Sequence, residues 1–205
     1  MVARRQRFGV GQQGRIWHSP AGGLWLSAAF PWSATPSAAP LALAASVGLA
    51  LQLERLGLRP RIKWPNDLLL EGRKLAGVLP RVRWRGTAIR WAQVGVGLNG
   101  VNRVPAGAIG LAEALARRLG GPAHRRRFHP GAIPARLEPL VLAGLSWAAA
   151  QVDAAECIRR EAEARLWVPA DGWTHDHRRW QVRGLSLSGG LLLQRGEARR
   201  TLLRF

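Results

Sequence analysis

The sequence predicts an α+β protein in which a mixed sheet backed by helices is followed by a small all-β module. Short apolar runs of strand length recur at residues 23–30, 75–84 and 88–97. Apolar residues recur at helical spacing over residues 40–56, 109–119 and 133–152. Near residue 167 the pattern changes to short alternating strands separated by glycines. We therefore predict two units, residues 1–166 and residues 167–205.

The first half of the larger unit begins with a loop at residues 4–20, rich in Gly and Arg and free of acids. Its glycines have the G-x-G-x-x-G spacing, but no strand precedes them and no helix pattern follows, which argues against a Rossmann dinucleotide site. A strand at residues 23–30 and a helix over residues 40–56 come next, with Pro40 suited to a first helical turn and Gly57 to the helix exit.

The second half of this unit is built from strands and then helices. A strand at residues 61–64 ends in turn residues, Pro65-Asn66-Asp67, and a second turn lies at Glu71-Gly72-Arg73. The strands at 75–84 and 88–97 are joined by Arg85-Gly86-Thr87 as an antiparallel hairpin. Helices over 109–119 and 133–152, separated by a basic loop at residues 125–127, precede a helical stretch that runs through Cys157 to Leu166.

The composition limits the classes of function. The single cysteine, Cys157, excludes an intrachain disulfide and a multi-cysteine zinc site, so the cytoplasm is the expected compartment. The histidines lack metal-ligand spacing with carboxylates, so we expect no resident metal. No signal-type segment follows Met1, and no uninterrupted apolar run of about 20 residues occurs, so we expect no membrane partner.

The formal net charge of +19 favours anionic partners, nucleic acid first among them. The arginines are nevertheless spread along the chain, and neither a helix-turn-helix nor an RNP-type aromatic pattern is present. We therefore do not expect specific DNA binding. A noncatalytic basic binding protein stays open as an alternative, and it would bind nucleic acid with a steep dependence on salt.

The two lysines of the chain lie close together in sequence. Only Lys63 and Lys74 among the 31 basic residues are Lys, and both border the turns around Asp67. Lys carries a compact ammonium on a thin stem and can sit as a point charge beside a carboxylate or phosphate, where the wide fork of Arg does not fit. This stretch is therefore a candidate site for an anionic ligand.

The loop before Ile16-Trp17, the turn Lys63-Trp64-Pro65-Asn66-Asp67, the segment Lys74-Leu75-Ala76-Gly77 and the strand end at residues 95–99 together resemble the biotin protein ligases. The resemblance covers residues 3 to 152 and, more weakly, the C-terminal module. It implies a class II synthetase-like mixed sheet backed by helices for residues 1–166, and an SH3-like module for residues 167–205. It also implies that ATP activates biotin as biotinyl-5'-AMP, which then modifies a lysine of the biotin carboxyl carrier protein of acetyl-CoA carboxylase.

The resemblance implies roles for individual residues. Lys74 would hold the biotin carboxylate and α-phosphate oxygens, and Asp67 would orient the reacting groups or accept a proton. With Arg15 these form the predicted catalytic set. Asn66 and Lys63 would support the turn and the nucleotide side of the site. Asn99 would lie near the adenine or the phosphates of Mg²⁺-bound ATP, and Trp17 would stack on adenine or serve in the core. The remaining predicted biotin or adenylate contacts are Gln6, Gly9, Val10, Gly11, Gln12, Gly14 and Gly77.

The sequence departs from the family pattern at three places. Val10 and Gln12 occupy positions where arginines are usual, with Arg4, Arg5 or Arg7 as possible substitutes, so we expect leakage of the acyl-adenylate. Pro80-Arg81 stands where an acid is usual. The family's N-terminal segment that lines the biotin pocket is missing, which favours a truncated gene model over a degenerate ligase. A lipoate-type acyl-adenylating ligase is the nearest alternative function.

Overall fold

The computed structural model describes residues 1–32, 39–85, 88–119 and 133–203. Ten strands lie in the described part of the chain: β1 Val2–Ala3, β2 Leu24–Phe30, β3 Arg61–Lys63, β4 Asp67–Leu70, β5 Arg73–Arg85, β6 Ala88–Leu98, β7 Trp173–His175, β8 Arg178–Leu185, β9 Leu191–Arg195 and β10 Ala198–Leu202. The helices described are α1 Ala39–Arg55, α2 Leu111–Leu119, α3 Ile133–Ala150 and α4 Ala155–Ala164.

The larger sheet has six strands in the order β1-β2-β6-β5-β4-β3. Neighbouring strands all pair antiparallel, and isolated parallel bridges, Lys74 with Ala108 and Ile62 with Leu166, give the sheet its mixed character. The antiparallel pair of β5 and β6, which the sequence predicts, lies at the centre of the sheet. The middle of its predicted connection, residues 86–87, is outside the described residues. The predicted fold class, a sheet backed by helices with a small β-module, is confirmed.

The two faces of this sheet differ in what covers them. Along β6, Ala92, Val94, Val96 and Leu98 are buried in the core that the sheet shares with the helices. The alternate residues of β6 are only partly buried and point to the opposite face. The strand period of two therefore leaves one face of the central hairpin without helices, and the candidate site lies there.

Helices α1 and α3 pack against one another at a glycine contact. A Cβ added to Gly48 of α1 would overlap the carbonyl oxygen of Gly144 in α3, and the reciprocal Cβ would lie 2.9 Å from the Gly48 carbonyl carbon. Two facing glycines allow the helix backbones to approach closely, and α1 is almost entirely buried as a result. This contact fixes the helical layer against the sheet.

The end of α4 is tied to α1 by an ion pair. Arg165, whose side chain is 13% exposed, donates two hydrogen bonds to the Glu54 carboxylate at 2.8 Å each and another to Glu161 at 2.8 Å. The hydrogen bonds to Glu54 raise the pKa of the Arg165 guanidinium, although burial opposes them. The Arg165 backbone carbonyl also accepts a hydrogen bond from the Ile62 amide of β3 at 2.7 Å, so this residue joins α4, α1 and the sheet.

The second sheet lies in residues 173–202, with the order β10-β9-β8-β7 and antiparallel pairing throughout. It contacts the larger unit through Trp64, whose indole N–H donates to the Gly189 carbonyl at 2.9 Å and whose ring meets Trp173 edge-on. The sequence predicts β8 and β9 but neither β7 nor β10, because β10 is arginine-rich and exposed with no apolar alternation. The division between residues 166 and 167 stays a prediction.

The predicted helices occur in their expected places with shifted ends. The stretch through Cys157 forms α4, and Pro139 lies inside α3. The basic loop predicted at residues 125–127 is outside the described residues. Within the described ranges, no helix combines the length and the apolar character needed to span a membrane.

Candidate functional site

A cavity of about 420 Å³ lies between the helix-free face of the large sheet and the loop formed by residues 6–17. The floor of this cavity consists of rows of cross-strand partners from β2, β6 and β5. One row contains Trp25, Gly97 and Gly77, and the next contains Ser27, Gly95 and Leu79. The third row includes Gln93 of β6 and Arg81 of β5. The cavity therefore runs along the strands from a glycine end to a polar end.

The glycine end of the floor is covered by Trp17. A Cβ added to Gly97 would lie 2.6 Å from three atoms of the Trp17 indole, and one added to Gly77 would lie 3.0 Å from the same ring. Since Gly77 and Gly97 are directly paired, they form a bed on which the indole rests. The indole N–H is buried and has no hydrogen-bond partner among the described residues.

Lys74 and Asp67 lie together at this end of the cavity. The Lys74 ammonium is 2.7 Å from a carboxylate oxygen of Asp67 and 4.7 Å from the centre of the Trp17 ring. Both side chains are part-exposed, at 35% and 22%, so each faces the cavity while remaining paired. An ammonium held by a carboxylate and an aromatic ring is placed in advance for an anionic ligand.

The backbone around this pair is held by asparagines and by a parallel bridge. Asn66 donates its side-chain amide to the Val78 carbonyl at 2.7 Å, which pins the turn before Asp67 onto β5. The Lys74 amide donates to the Gly107 carbonyl at 2.9 Å, and its own carbonyl accepts from Ile109 at 3.0 Å. Asn99, 5% exposed, donates to the same Lys74 carbonyl at 3.4 Å.

The loop over the cavity is a hydrogen-bonded hairpin. Val10 and Ile16 form an antiparallel bridge around a short 3₁₀ turn at Gln12–Gly14. The Trp17 amide donates to the Gly9 carbonyl at 2.9 Å, so the loop backbone places the indole. At the loop base the Ser19 hydroxyl donates to the side-chain carbonyl of Gln6 at 2.6 Å.

Most predicted site residues meet at the cavity. The lining includes Gln6, Val10, Gly11, Gln12, Arg15, Trp17, Asn66, Asp67, Lys74 and Gly77. Four predicted residues lie elsewhere. Lys63 is on β3 with its ammonium 5.6 Å from the Trp167 ring centre, and Asn99 acts behind the Lys74 backbone. Gly9 packs against Ser19, and Gly14 provides a turn with φ of 73°.

Several lining residues are absent from the contacts predicted from the sequence: Gln93 of β6, Arg81 of β5, and Trp25 and Ser27 of β2. Gly95 and Gly97 also line the cavity, and they belong to the strand end at residues 95–99 on which the resemblance rests. A signal for them exists in the period of two, because Arg81 lies four residues beyond Gly77 and shares its face. That signal becomes usable only when the strand register is known.

A second cavity of about 610 Å³ adjoins the first and shares Gln6, Ile16 and Trp17 as a wall. Three cations line it, Arg5, Arg7 and Arg103. In the first cavity the cations are Arg15, Lys74 and Arg81, whereas Asp67 is the single carboxylate among the described lining residues. Both cavities are therefore suited to anions. The described residues include no group of three His, Cys, Asp or Glu side chains that could hold a metal.

Comparison with known proteins places this site in a family context. Residues 1–99 match the model of the biotin/lipoate A/B protein ligase family. The chain is 36% identical over 111 residues to the bifunctional ligase/repressor BirA of Bacillus subtilis, which covers 51% of this chain and 33% of that protein. It is 36% identical over 116 residues to the biotin--[acetyl-CoA-carboxylase] ligase of Paracoccus denitrificans, covering 53% of this chain and 47% of that one.

The fold extends over more of the chain than the sequence similarity does. The biotin protein ligase of Aquifex aeolicus, solved in complex with biotin and ATP, superimposes with a TM-score of 0.75 at 22% identity. That superposition covers 98% of this chain and 84% of the other. By contrast, the chain matches between a third and a half of the length of the two curated relatives described above.

Proposed function

We propose, from the match of residues 1–99 to the biotin/lipoate A/B protein ligase family, that this chain is an ATP-dependent biotin protein ligase. The reaction has two steps. A biotin carboxylate oxygen attacks the α-phosphorus of ATP, pyrophosphate leaves, and biotinyl-5'-AMP forms. A lysine amine of the biotin carboxyl carrier protein of acetyl-CoA carboxylase then attacks the acyl carbon, and AMP leaves. We propose that this takes place in the cytoplasm.

The observation that carries the proposal is the position of Lys74. Its ammonium lies at the glycine end of the cavity, beside Asp67 and Trp17. When a carboxylate approaches a phosphate, like charges converge, and a fixed cation at that point lowers the barrier. Lys74 would bridge the carboxylate and an α-phosphate oxygen, and its Asp67 pairing keeps the ammonium in place before the substrates bind.

The two adjoining cavities suit the two substrates. The first has an ammonium at one end and Gly77, Gly97, Gly95 and Leu79 along its floor, which fits an acid with a hydrocarbon chain. The second is lined by Arg5, Arg7 and Arg103, which fits the phosphates of ATP, and Mg²⁺ enters with ATP as part of that substrate. Trp17 belongs to both walls and would stack on adenine from this position.

Asp67 and Arg15 would act in different steps. Asp67 is the carboxylate nearest to Lys74 and would orient the carrier lysine and accept its proton during transfer. Arg15 is exposed at the cavity mouth, with a 3.5 Å hydrogen bond to Gln13, and would contact the phosphate after the loop closes.

The composition of the loop predicts that the acyl-adenylate escapes from the site before transfer. Val10 and Gln12 line the cavity without charge, so Arg15 is the cation that the 10–17 segment offers to it. Fewer charge-assisted hydrogen bonds to the acyl-adenylate mean faster escape into solvent. We expect sustained AMP and pyrophosphate production with biotin and ATP when no carrier protein is present. A single stoichiometric burst with no further turnover would contradict this expectation.

The test uses the two lysines as a matched pair. We expect wild-type protein to release pyrophosphate in a biotin-dependent reaction and to label a carrier domain with biotin. Lys74→Ala should lose at least a hundredfold in both rates, whereas Lys63→Ala, altered outside the cavity at Trp167, should retain them. The proposal fails if wild type consumes no ATP with biotin, or if Lys74→Ala labels the carrier as wild type does.

The family description also covers lipoate ligases, so lipoate is the second candidate acid. Incubation of the protein with ATP and each acid separately, followed by detection of the mixed anhydride, distinguishes the two. Formation of lipoyl-AMP without biotinyl-AMP would replace biotin by lipoate in the proposal and leave the roles of Lys74 and Asp67 unchanged.

A further inference from the structure

The four-stranded sheet at residues 173–202 has an outer face that the chemistry described above does not use. Its inner face is apolar, since Trp180 of β8, Leu193 of β9 and Leu202 of β10 are buried. Residues that alternate with these along the paired strands point outward to solvent. The outward side chains are Thr174, Arg179, Gln181, Leu192, Gln194, Arg199 and Thr201. Arg183, at the bulge of β8, joins them by its contact with Gln194.

The three arginines of this outer face keep most of their N–H groups free. Arg199 has no hydrogen bond or ion pair with another described residue. Arg183 donates only its Nε–H, to Gln194 at 2.9 Å, and Arg179 makes only long contacts of 3.5 and 3.9 Å at the edge of the sheet. The carboxylates nearby in sequence lie in turns instead of on these strands: Asp171, Asp176 and Glu197. The face is therefore positively charged and open.

The composition of the outer face selects the kind of partner. A guanidinium pairs with phosphate through two parallel N–H groups, and Gln and Thr side chains also donate to phosphate oxygens. The tryptophans of this sheet, Trp173 and Trp180, belong to the inner face, so no aromatic ring is placed to stack on a base. Leu192 is the single apolar side chain among the described outward residues, whereas protein interfaces are built around apolar and aromatic anchors. A phosphate backbone fits this face better than unpaired bases or a protein surface.

The spacing of the arginines allows each of them to reach a different phosphate. Arg179 and Arg183 are four residues apart on β8, about 13 Å at 3.3 Å per residue. Arg199 pairs with Gln194, which pairs with Gln181, so it lies two strand spacings, about 10 Å, to the side of β8. Duplex DNA carries one charge per about 1.7 Å of axis, or about eight phosphates over 13 Å. Three separate phosphate contacts are therefore possible at once.

We propose that Arg179, Arg183 and Arg199 form a docking surface for the phosphate backbone of double-stranded nucleic acid, bound without regard to its sequence. Each guanidinium pairs with its own phosphate, and Gln181 and Thr201 add neutral hydrogen bonds. None of these residues lines either cavity, so the surface is separate from the proposed catalytic site. It gives a use to part of the net charge of +19 that acid and nucleotide binding leave without one.

The experiment measures binding by fluorescence anisotropy between 50 and 200 mM salt, without biotin or ATP. The labelled probes are a 20-base-pair DNA duplex, an RNA duplex of the same length, the single DNA strand and polyglutamate. One variant changes Arg179, Arg183 and Arg199 to Gln, and a second changes the same three to Lys. The matched control changes three exposed arginines elsewhere to Gln and removes the same charge: Arg55, Arg59 and Arg160.

We expect the outer-face Gln variant to bind the DNA duplex at least tenfold more weakly at 50 mM salt. The slope of log K against log salt should become shallower by about 2.7, which is 0.9 for each of three phosphates. The control should change K by less than about threefold, and the Lys variant should keep the slope because it keeps the charges. Duplexes of unrelated sequence should bind alike, and the tighter of the DNA and RNA duplexes identifies the preferred partner.

Thermal unfolding midpoints and biotin-dependent pyrophosphate release should match wild type in all three variants. The inference is overturned if the two Gln variants weaken binding equally, because total charge then explains it. Equal binding of polyglutamate and duplex would point to an acidic protein, and tighter binding of the single strand would point to the bases. Both results contradict the proposal. Because no step of the binding assay needs catalysis, failure of the proposed ligase activity would leave this result standing.

Discussion

Substitution of Gly97 tests whether the glycine floor positions Trp17. The Cβ of Gly97→Ala would lie 2.6 Å from Cε2, Cζ2 and Nε1 of the indole, whereas carbon atoms prefer separations of about 3.5–4.0 Å. The ring must therefore retreat by about 1 Å. Its other neighbours are the Lys74 ammonium, 4.7 Å from the ring centre, and Trp25, 6.4 Å away, so the displacement reaches the reacting end.

The expected loss follows from this overlap. Overpacking of a fitted site costs about 1–3 kcal/mol, which corresponds to about fivefold to 150-fold in kcat/KM for biotin-dependent pyrophosphate release. Gly77→Ala should cost less, because its Cβ would meet the far edge of the ring at 3.0 and 3.2 Å and a small tilt relieves it. Steady-state kinetics of the two variants should therefore rank Gly97→Ala below Gly77→Ala.

A double-mutant cycle identifies the cause of that loss. If Gly97→Ala acts by displacing the indole, then in a Trp17→Ala background the added methyl meets no ring and should change kcat/KM by less than about threefold. Thermal unfolding of each variant shows whether the sheet is intact. If Gly97→Ala loses as much activity without Trp17 as with it, the two residues act independently and the reasoning about the floor is wrong.

Three further substitutions test the site and the fold. Asp67→Asn removes the charged partner of Lys74, and we expect at least a tenfold slower transfer from preformed biotinyl-AMP in single-turnover assays, with less than about 1 kcal/mol lost in urea unfolding. Gly48→Ala should lower the free energy of unfolding by about 3 kcal/mol, because the methyl overlaps the Gly144 carbonyl. Arg165→Met should lower it by about 2 kcal/mol in the same assay, because it leaves a half-buried carboxylate without its bidentate partner. Unchanged unfolding midpoints would contradict the last two expectations.

The reacting end of the site could be predicted from the sequence because its residues are local. Asp67 and Lys74 are seven residues apart across one turn, and antiparallel pairing of β4 with β5 brings them together. The scarcity of Lys in an Arg-rich chain pointed to the same place. The scarcity of Lys does not distinguish the two lysines, because Lys63 is on the edge strand β3 with its ammonium 5.6 Å from the Trp167 ring centre. Which side of a turn faces a cavity depends on tertiary packing that composition does not encode.

The floor of the site could not be predicted in the same way. Gly77 was predicted as a ligand contact, but its close approach to the Trp17 indole depends on a loop 60 residues earlier in the chain. Gln93 enters the site only through the register of β6 with β5, and a shift by one residue would move it to the buried face. Gly97 belongs to the strand end that the sequence already associates with the site, but its contact with Trp17 depends on the same register. The second sheet was predicted only in part. Its strand β10 pairs with β9 through the backbone and carries no apolar pattern that would mark it as a strand.

The cations on the sheet floor and the cation on the loop should affect different steps, binding of the free acid and retention of the adenylate. Lys74 and Arg81 are on β5, where Lys74 is paired with β4 and Arg81 with β6, whereas Arg15 is on an exposed loop. Groups on rigid strands lose little conformational entropy when a ligand binds, and groups on a loop must be ordered first. Affinity for the free acid should therefore depend little on the loop, while retention of the adenylate, which reaches the loop, should depend on it strongly. Arginines introduced at Val10 and Gln12 should then slow escape of the adenylate and leave the Kd for biotin nearly unchanged. Equal tightening of both ligands would show instead that the loop closes over the acid alone.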